Sequence, residues 1–225
     1  MKIPDLIYCA DGNQFFHDVA VEAGWLYGCK LPKKPYGPLY MADQNWKKPN
    51  RAAYMEALST YKPKIATVVD WERQEQLPEV LDWAEEASQH VDRVIIIPKV
   101  NGGIQQIPER INGKEIILGY SVPTKYGGTQ LMIHEFAKRP VHLLGGSPQK
   151  QLNTFLHMRN MTDVVSLDCN TMVRMANATC AFWENRRWKT LRAADGSRFD
   201  GNGPNEAFRR SIINIMEYWK KLEAK

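Results

Sequence analysis

The stretch Val141-His142-Leu143-Leu144-Gly145-Gly146-Ser147-Pro148 decides the fold. Its first four residues form a short, largely apolar run of strand length. The two glycines punctuate a turn, and Ser147-Pro148 reads as a helix N-cap followed by proline in the first helical position. The helix opened there lies around Gln149–Met158, and a second apolar run, Val164-Val165-Ser166-Leu167, follows it. Strand, turn, helix and strand in this order make a crossover that sets the two strands parallel.

Outward from that unit, similar runs recur at Leu6–Ala10, Pro38–Ala42, Ile65–Val69, Val94–Ile97 and Glu115–Gly119. They are nearly continuous in apolar character, as strands covered on both faces are, and their spacing is too long for hairpins. Helical patterns stand between or after them. Arg51–Tyr61 carries Ala53, Ala57 and Tyr54, Leu58 at helical spacing, and Leu77–His90 places Leu77, Val80, Leu81, Ala84 and Ala87 on one face. Asn205–Leu222 carries Phe208, Ile212, Ile215, Met216 and Trp219 on one stripe.

This α/β pattern favours a single TIM-type (β/α) barrel domain over residues 1–225. An open doubly wound sheet usually has a glycine-rich phosphate loop after its first strand. Here Asp11-Gly12-Asn13 stands in that place, and no Walker sequence occurs. The eighth unit is the weak point. A helix is expected from Asp168 to about Trp183, then an irregular stretch over 184–204, so the barrel is expected to be reduced or irregular, with a degenerate eighth strand near Trp188–Leu191.

The 225 residues fall slightly short of the roughly 250 typical of an eightfold barrel. At 44% hydrophobic and 24% charged, the composition is that of an ordinary globular domain. No apolar stretch approaches the roughly 20 residues that cross a bilayer, and no signal-peptide pattern is visible, so a cytoplasmic location without a membrane partner is expected. Cys9, Cys29, Cys169 and Cys180 form no C-x-x-C pair, and His17, His90, His134, His142 and His157 stand far apart. No metal and no cofactor are expected from these spacings. Cys169 reads as a small packed residue, and His142, within a strand, as a packed histidine with one satisfied nitrogen.

A net charge of +5 points weakly to a polyanionic partner. Lys30-Leu31-Pro32-Lys33-Lys34, Lys47-Lys48, Arg186-Arg187-Trp188-Lys189 and Arg209-Arg210 sit in or beside expected loops or helix ends. Basic residues next to tryptophan suit a surface that holds phosphates and stacks on a base, and solvated charge explains them equally well.

Aspartates carry the chemistry. Met41-Ala42-Asp43, Val68-Val69-Asp70 and Ser166-Leu167-Asp168 each end a strand in a carboxylate, as does Cys9-Ala10-Asp11. A lone aspartate after a strand commonly caps the next helix. Several in one chain, two of them without an immediate helix start, point instead to the C-terminal face of a barrel, where active sites assemble. Neighbouring carboxylates in a partly dry pocket separate their pKa values, which suits a nucleophile and a general acid/base at a glycosidic bond. Lys99, the loop from Asn101 to Gln106, Tyr120-Ser121 and Gly145-Gly146 aim at the same rim.

The order of these features resembles the tRNA-guanine transglycosylase superfamily, including its DNA-acting relatives that insert 7-deazaguanines. His142-Leu143-Leu144-Gly145-Gly146-Ser147-Pro148 is similar to the family's H-L-L-G-x-G-x-P segment. Leu167-Asp168-Cys169-Asn170 with Arg174 is similar to its F-D-C-x-x-P-T-R strand. Val69-Asp70-Trp71-Glu72 matches an F-D-E segment, and Met41-Ala42-Asp43-Gln44 stands where the family has D-S-G-G-F-Q. Asn101-Gly102-Gly103 and Leu118-Gly119-Tyr120 fall at the V-Q-G-G and G-L-A-x-G loops. The chain departs from the pattern in lacking S-G-G after Asp43, in replacing P-T-R with Thr171-Met172-Val173-Arg174, and in lacking the C-x-C-x-x-C zinc insertion and any added RNA-binding domain.

The resemblance implies a base exchange in which guanine in a nucleic acid gives way to a 7-deazaguanine such as preQ0 or preQ1, with DNA favoured over tRNA because the zinc insertion is missing. Asp168 would be the nucleophile and Asp43 the proton carrier. Asp70, Trp71, Asn101, Gly102, Gly103, Gln105, Gly119, Tyr120 and Gly145 would form the base pocket. Lys99, Arg174, Arg186, Arg187 and Lys189 would contact the nucleic acid, helped by Trp46, Trp71 or Trp188 in extracting the target base. Whether Asp11 joins the site is left open. So are two other readings of the same residues: a nucleoside or glycoside hydrolase, and a non-catalytic nucleic-acid-binding module.

Overall fold

The computed structural model describes residues 2–10, 13–124, 127–192 and 202–224, so Asp11 lies outside the described residues. In chain order the elements are β1 (Asp5–Cys9), α1 (Gln14–Glu22), β2 (Leu26–Lys30), β3 (Met41–Asp43), α2 (Arg51–Tyr61), β4 (Ile65–Thr67), α3 (Leu77–Ala87) and β5 (Arg93–Ile96). There follow β6 (Arg110–Ile111), β7 (Lys114–Ser121), β8 (Pro140–Leu144), α4 (Pro148–Met158), β9 (Asp163–Cys169), α5 (Thr171–Thr179), β10 (Ala181–Glu184), β11 (Arg187–Thr190) and α6 (Gly203–Glu223).

Eight of these strands pair in parallel in the order β5-β4-β3-β2-β1-β9-β8-β7, and β5 pairs with β7 to close the ring. The chain is therefore a closed (β/α) barrel, as its strand pattern leads one to expect. β6 is a short antiparallel attachment to β7, and β10 and β11 form a separate antiparallel pair.

The expected reduction at the eighth unit is corrected. The barrel is complete, and its remaining strand is β2, between β1 and β3, rather than the segment near Trp188–Leu191, most of which is β11. β2 is hard to see in sequence because its inward positions are unlike those of its neighbours. A Cβ on Gly28 would meet Cys9 Cβ at 2.8 Å and Ile7 Cγ2 at 3.1 Å, so the barrel interior admits no side chain there. The next inward position is Lys30, at the mouth. No helix separates β2 from β3, so the spacing that marks the other units fails at this one.

Strand alternation divides the apolar residues into two layers. Ile7, Met41, Ile65, Ile95 and Ile117 fill the barrel. Leu6, Tyr8, Val94, Ile96, Ile116, Leu118 and Val141 face outward under the helices. α4 begins as its sequence dictates, with the Ser147 hydroxyl accepting from the Lys150 amide and Pro148 in the first turn. α6 seals the outside near β1. Phe208 packs tilted against Phe16 and edge-on to Tyr8, with ring centroids 4.4 and 5.4 Å apart, and the Trp25 indole donates to the Ile212 carbonyl at 3.1 Å. No helix among the described residues is long and apolar enough to cross a membrane.

Candidate active site

Inward-facing residues at the C-terminal ends of the strands build the mouth of the barrel. Parallel pairing puts Lys30 beside Asp43, Ile7 beside Asp168, and His142 beside Ser166. Asp43 on β3 and Asp168 on β9, with β2 and β1 between them in the ring, thus project into the same opening.

The Thr67 hydroxyl donates to Asp43 Oδ1 at 3.1 Å and accepts from the Gln44 amide at 2.9 Å. Beneath them the Tyr54 hydroxyl donates to the Thr67 carbonyl at 2.7 Å, tying α2 to the end of β4. Burial, and then the charge of Asp168, push the Asp43 carboxyl up to about 7. The Lys30 ammonium and the Thr67 hydrogen bond act in the opposite direction. An acid with that pKa can give and take a proton near neutral pH.

Asp168 is held differently. His142 Nε2 and the Gly145 amide each lie 3.2 Å from the same oxygen, Oδ1, and the Gln151 side chain donates to the Asp168 carbonyl. His142 is fully buried, and its Nδ1 lies 2.7 Å from Ser166 Oγ. The expectation of a histidine with one satisfied nitrogen is corrected: both nitrogens are engaged, one of them by the candidate nucleophile. The turn that carries the amide needs glycine, with φ +63° at Gly145 and +83° at Gly146. Nothing lies within 4 Å of the position a Gly145 Cβ would take, so this part of the rim is open.

Asp70 lies beyond β4, paired with Lys99 at 2.6 Å, and Lys99 also reaches Glu72 at 2.9 Å. Lys99, expected at the nucleic acid, is thus engaged by the candidate base reader. Burial raises the Asp70 carboxyl above its ordinary range although Lys99 opposes it. A cavity of about 550 Å³ opens beside this pair, lined by Gln44, Trp46, Asp70 and Glu72 among others.

The remaining expected residues divide. Asn101, Gly102 and Gln105 are exposed on the rim loop. Gly103 is buried against Trp71, whose ring a Cβ there would meet at 2.5 Å. Trp71 is itself fully buried, with its indole donating to the Arg73 carbonyl at 2.8 Å, so it locks two loops together and presents no stacking face. Tyr120 points outward from β7 against Phe136, with ring centroids 5.3 Å apart. Gly119 faces inward, where a Cβ would meet Ile97 at 2.5 Å. The places expected for Trp71 and Tyr120 in a base pocket are corrected to packing positions. Trp46 is 60% exposed, and Trp188 is partly buried.

Arg174 is exposed on α5 and lines a second cavity of about 500 Å³ with Lys150, Ser147 and Asn170. Arg186, Arg187 and Lys189 lie on the β10–β11 hairpin. Arg186 donates to Gln149 and Asn153 of α4 at 3.1 and 3.3 Å, and Lys189 pairs with Glu184. Cys169 is buried outward from β9, and burial raises its thiol to about 12, which keeps it out of thiolate chemistry near neutral pH. Among the described residues no three His, Cys, Asp or Glu side chains gather as metal ligands. Sequence reasoning missed Lys30, which it counted only within a basic cluster, and the contact of His142 with Asp168.

A family model described as a family of unknown function, DUF6610, matches residues 20–220. The chain belongs to that family. The match takes in every barrel strand except β1, and with them Asp43, Asp70, His142 and Asp168. No curated protein and no solved structure matches this DUF6610 chain.

Proposed function

We propose that this DUF6610 protein is a base-exchange transglycosylase, replacing guanine in a nucleic acid, DNA in preference to tRNA, with a 7-deazaguanine. The observation that carries the reading is the pairing of two unlike carboxylates in one barrel mouth. Asp168 is anchored through a single oxygen, and Asp43 is raised to about 7 partly by the charge of Asp168. Such a pair matches the division of labour that displacement at an anomeric carbon needs.

In this reading an oxygen of Asp168 forms a bond to C1′ of the target nucleotide as the bond from C1′ to the guanine nitrogen breaks. Asp43 gives its proton to the departing guanine. The incoming 7-deazaguanine then loses its ring N–H proton to Asp43, its nitrogen bonds to C1′, and the Asp168 ester bond breaks to restore the carboxylate. Asp70, beside the 550 Å³ cavity, takes the base's N–H groups once Lys99 gives way. The exposed Trp46 and the cations Arg174, Arg186 and Arg187 serve the polymer. The absence of paired cysteines among the described residues suits a cytoplasmic setting for this chemistry.

The test is incubation with labelled guanine, preQ0 or preQ1 and either DNA or tRNA, followed by nucleoside mass analysis. Label appearing in DNA supports the reading, and label in tRNA alone reverses the choice of polymer. Release of free guanine without incorporation makes the protein a hydrolase.

A further inference from the structure

His142 has no outlet to solvent, so its two ring nitrogens must find partners inside the barrel, and the partners fix its protons. A neutral imidazole has one donor and one acceptor nitrogen. Asp168, as a carboxylate, only accepts, so the proton sits on Nε2 and points at Oδ1 across 3.2 Å. Nδ1 is then the acceptor, and the Ser166 hydroxyl donates to it across 2.7 Å. The Gly145 amide is a second donor to the same Oδ1 at 3.2 Å. Oδ2 accepts no hydrogen bond from the described residues. The two oxygens of one carboxylate are therefore made chemically different by a buried histidine that no substrate can touch.

We propose that Ser166 and His142 form a positioning relay that holds Asp168 by Oδ1 and leaves Oδ2 as the attacking oxygen. The role in attack rests on the transglycosylase reading; the relay does not. Two donors on one oxygen fix the carboxylate's rotation, so Oδ2 meets C1′ in one orientation. When Oδ2 carries the sugar, Oδ1 becomes the ester carbonyl, and the same two N–H groups remain on it. As the ester breaks, negative charge returns to the carboxylate, and the donors already in place stabilise it. Gly145 supplies one of them through its backbone, which no side-chain change removes, so His142 is the adjustable half. Ser166 acts one step further back, choosing the tautomer that makes His142 a donor at Nε2.

The test combines ring-nitrogen NMR of the whole chain with exchange kinetics for His142→Phe, His142→Gln and Ser166→Ala. The expected spectrum has His142 protonated at Nε2 only, with that preference weakened in Ser166→Ala. His142→Phe is expected to lower kcat on the order of 10- to 100-fold with KM changed less than about threefold. Glutamine sets an amide nitrogen near the place of Nε2, so His142→Gln is expected to recover much of the loss, which a purely space-filling histidine would not give. Ser166→Ala, a smaller change, guards against a His142→Phe chain that fails to fold, and is expected to lower kcat while leaving KM near its original value. A proton on Nδ1, or a folded His142→Phe with full kcat, overturns the relay. An Nε2 proton in a wild-type protein that exchanges no base upholds the relay and overturns the transglycosylase reading instead.

Discussion

The Thr67 hydroxyl donates to Oδ1 of Asp43 across 3.1 Å and works against the burial that raises this carboxyl to about 7. A hydrogen bond to the ionised form is worth a few kcal/mol at most, so its loss shifts the balance without abolishing it. Thr67→Val is expected to raise the Asp43 pKa by roughly one unit and move the alkaline fall of the exchange rate to higher pH by the same amount. A pH–rate profile of the variant checks this.

Lys30 opposes the same shift from the neighbouring strand, in register with Asp43. Lys30→Met removes the positive charge that lowers the Asp43 pKa. The expected outcome is a more basic Asp43 that stays protonated to higher pH, so that the exchange rate falls less between pH 7 and pH 8.5 than in the wild type. Carboxyl NMR shifts followed against pH measure the change independently of activity.

Asp43 also couples stability to pH. Its folded pKa lies above its unfolded value, so the native state holds the extra proton between the two. Stability from this group is therefore greatest below the unfolded pKa of about 3.8 and falls as pH rises toward 7. Replacing the carboxyl removes that penalty. Asp43→Asn is expected to be more stable than wild type at pH 8, by about 1–3 kcal/mol, and nearly equal to it at pH 4. Urea melts at the two pH values give the difference, while exchange activity is lost at both.

Gly28 is a tight point of the barrel interior on the strand that the sequence obscures. A Cβ there would meet the β-carbon of Cys9 at 2.8 Å, and both atoms belong to neighbouring strands with no room to part. Gly28→Ala is expected to cost about 1–3 kcal/mol in denaturant unfolding. Gly102→Ala meets nothing within 4 Å, and its cost comes only from its positive φ of 66°.

What the sequence disclosed follows from how local each signal is. α2 runs over Arg51–Tyr61 as its periodicity dictates, and Ser147-Pro148 opens α4, because caps and helical stripes are written in adjacent residues. The three carboxylates Asp43, Asp70 and Asp168 were legible as strand ends. β2 was not, because after Leu26 its inward positions are glycine and lysine and no helix follows it. Gly119 and Tyr120 sit side by side in the chain, yet the pleat sends one into the barrel and the other against Phe136. Order along the chain does not carry that distinction. His142 acquires its role only when β8 and β9 pair in register, which no spacing within either strand announces.

The central claim is that Asp168 bonds to the sugar. Mixing the protein with guanine-containing DNA, without added free base, and measuring intact mass after acid quench tests it most directly. The account predicts a protein–DNA adduct in the wild type that disappears on adding the 7-deazaguanine, and no adduct in a normally folded Asp168→Asn. An Asp168→Asn protein that still forms the adduct, or still exchanges base, would contradict it.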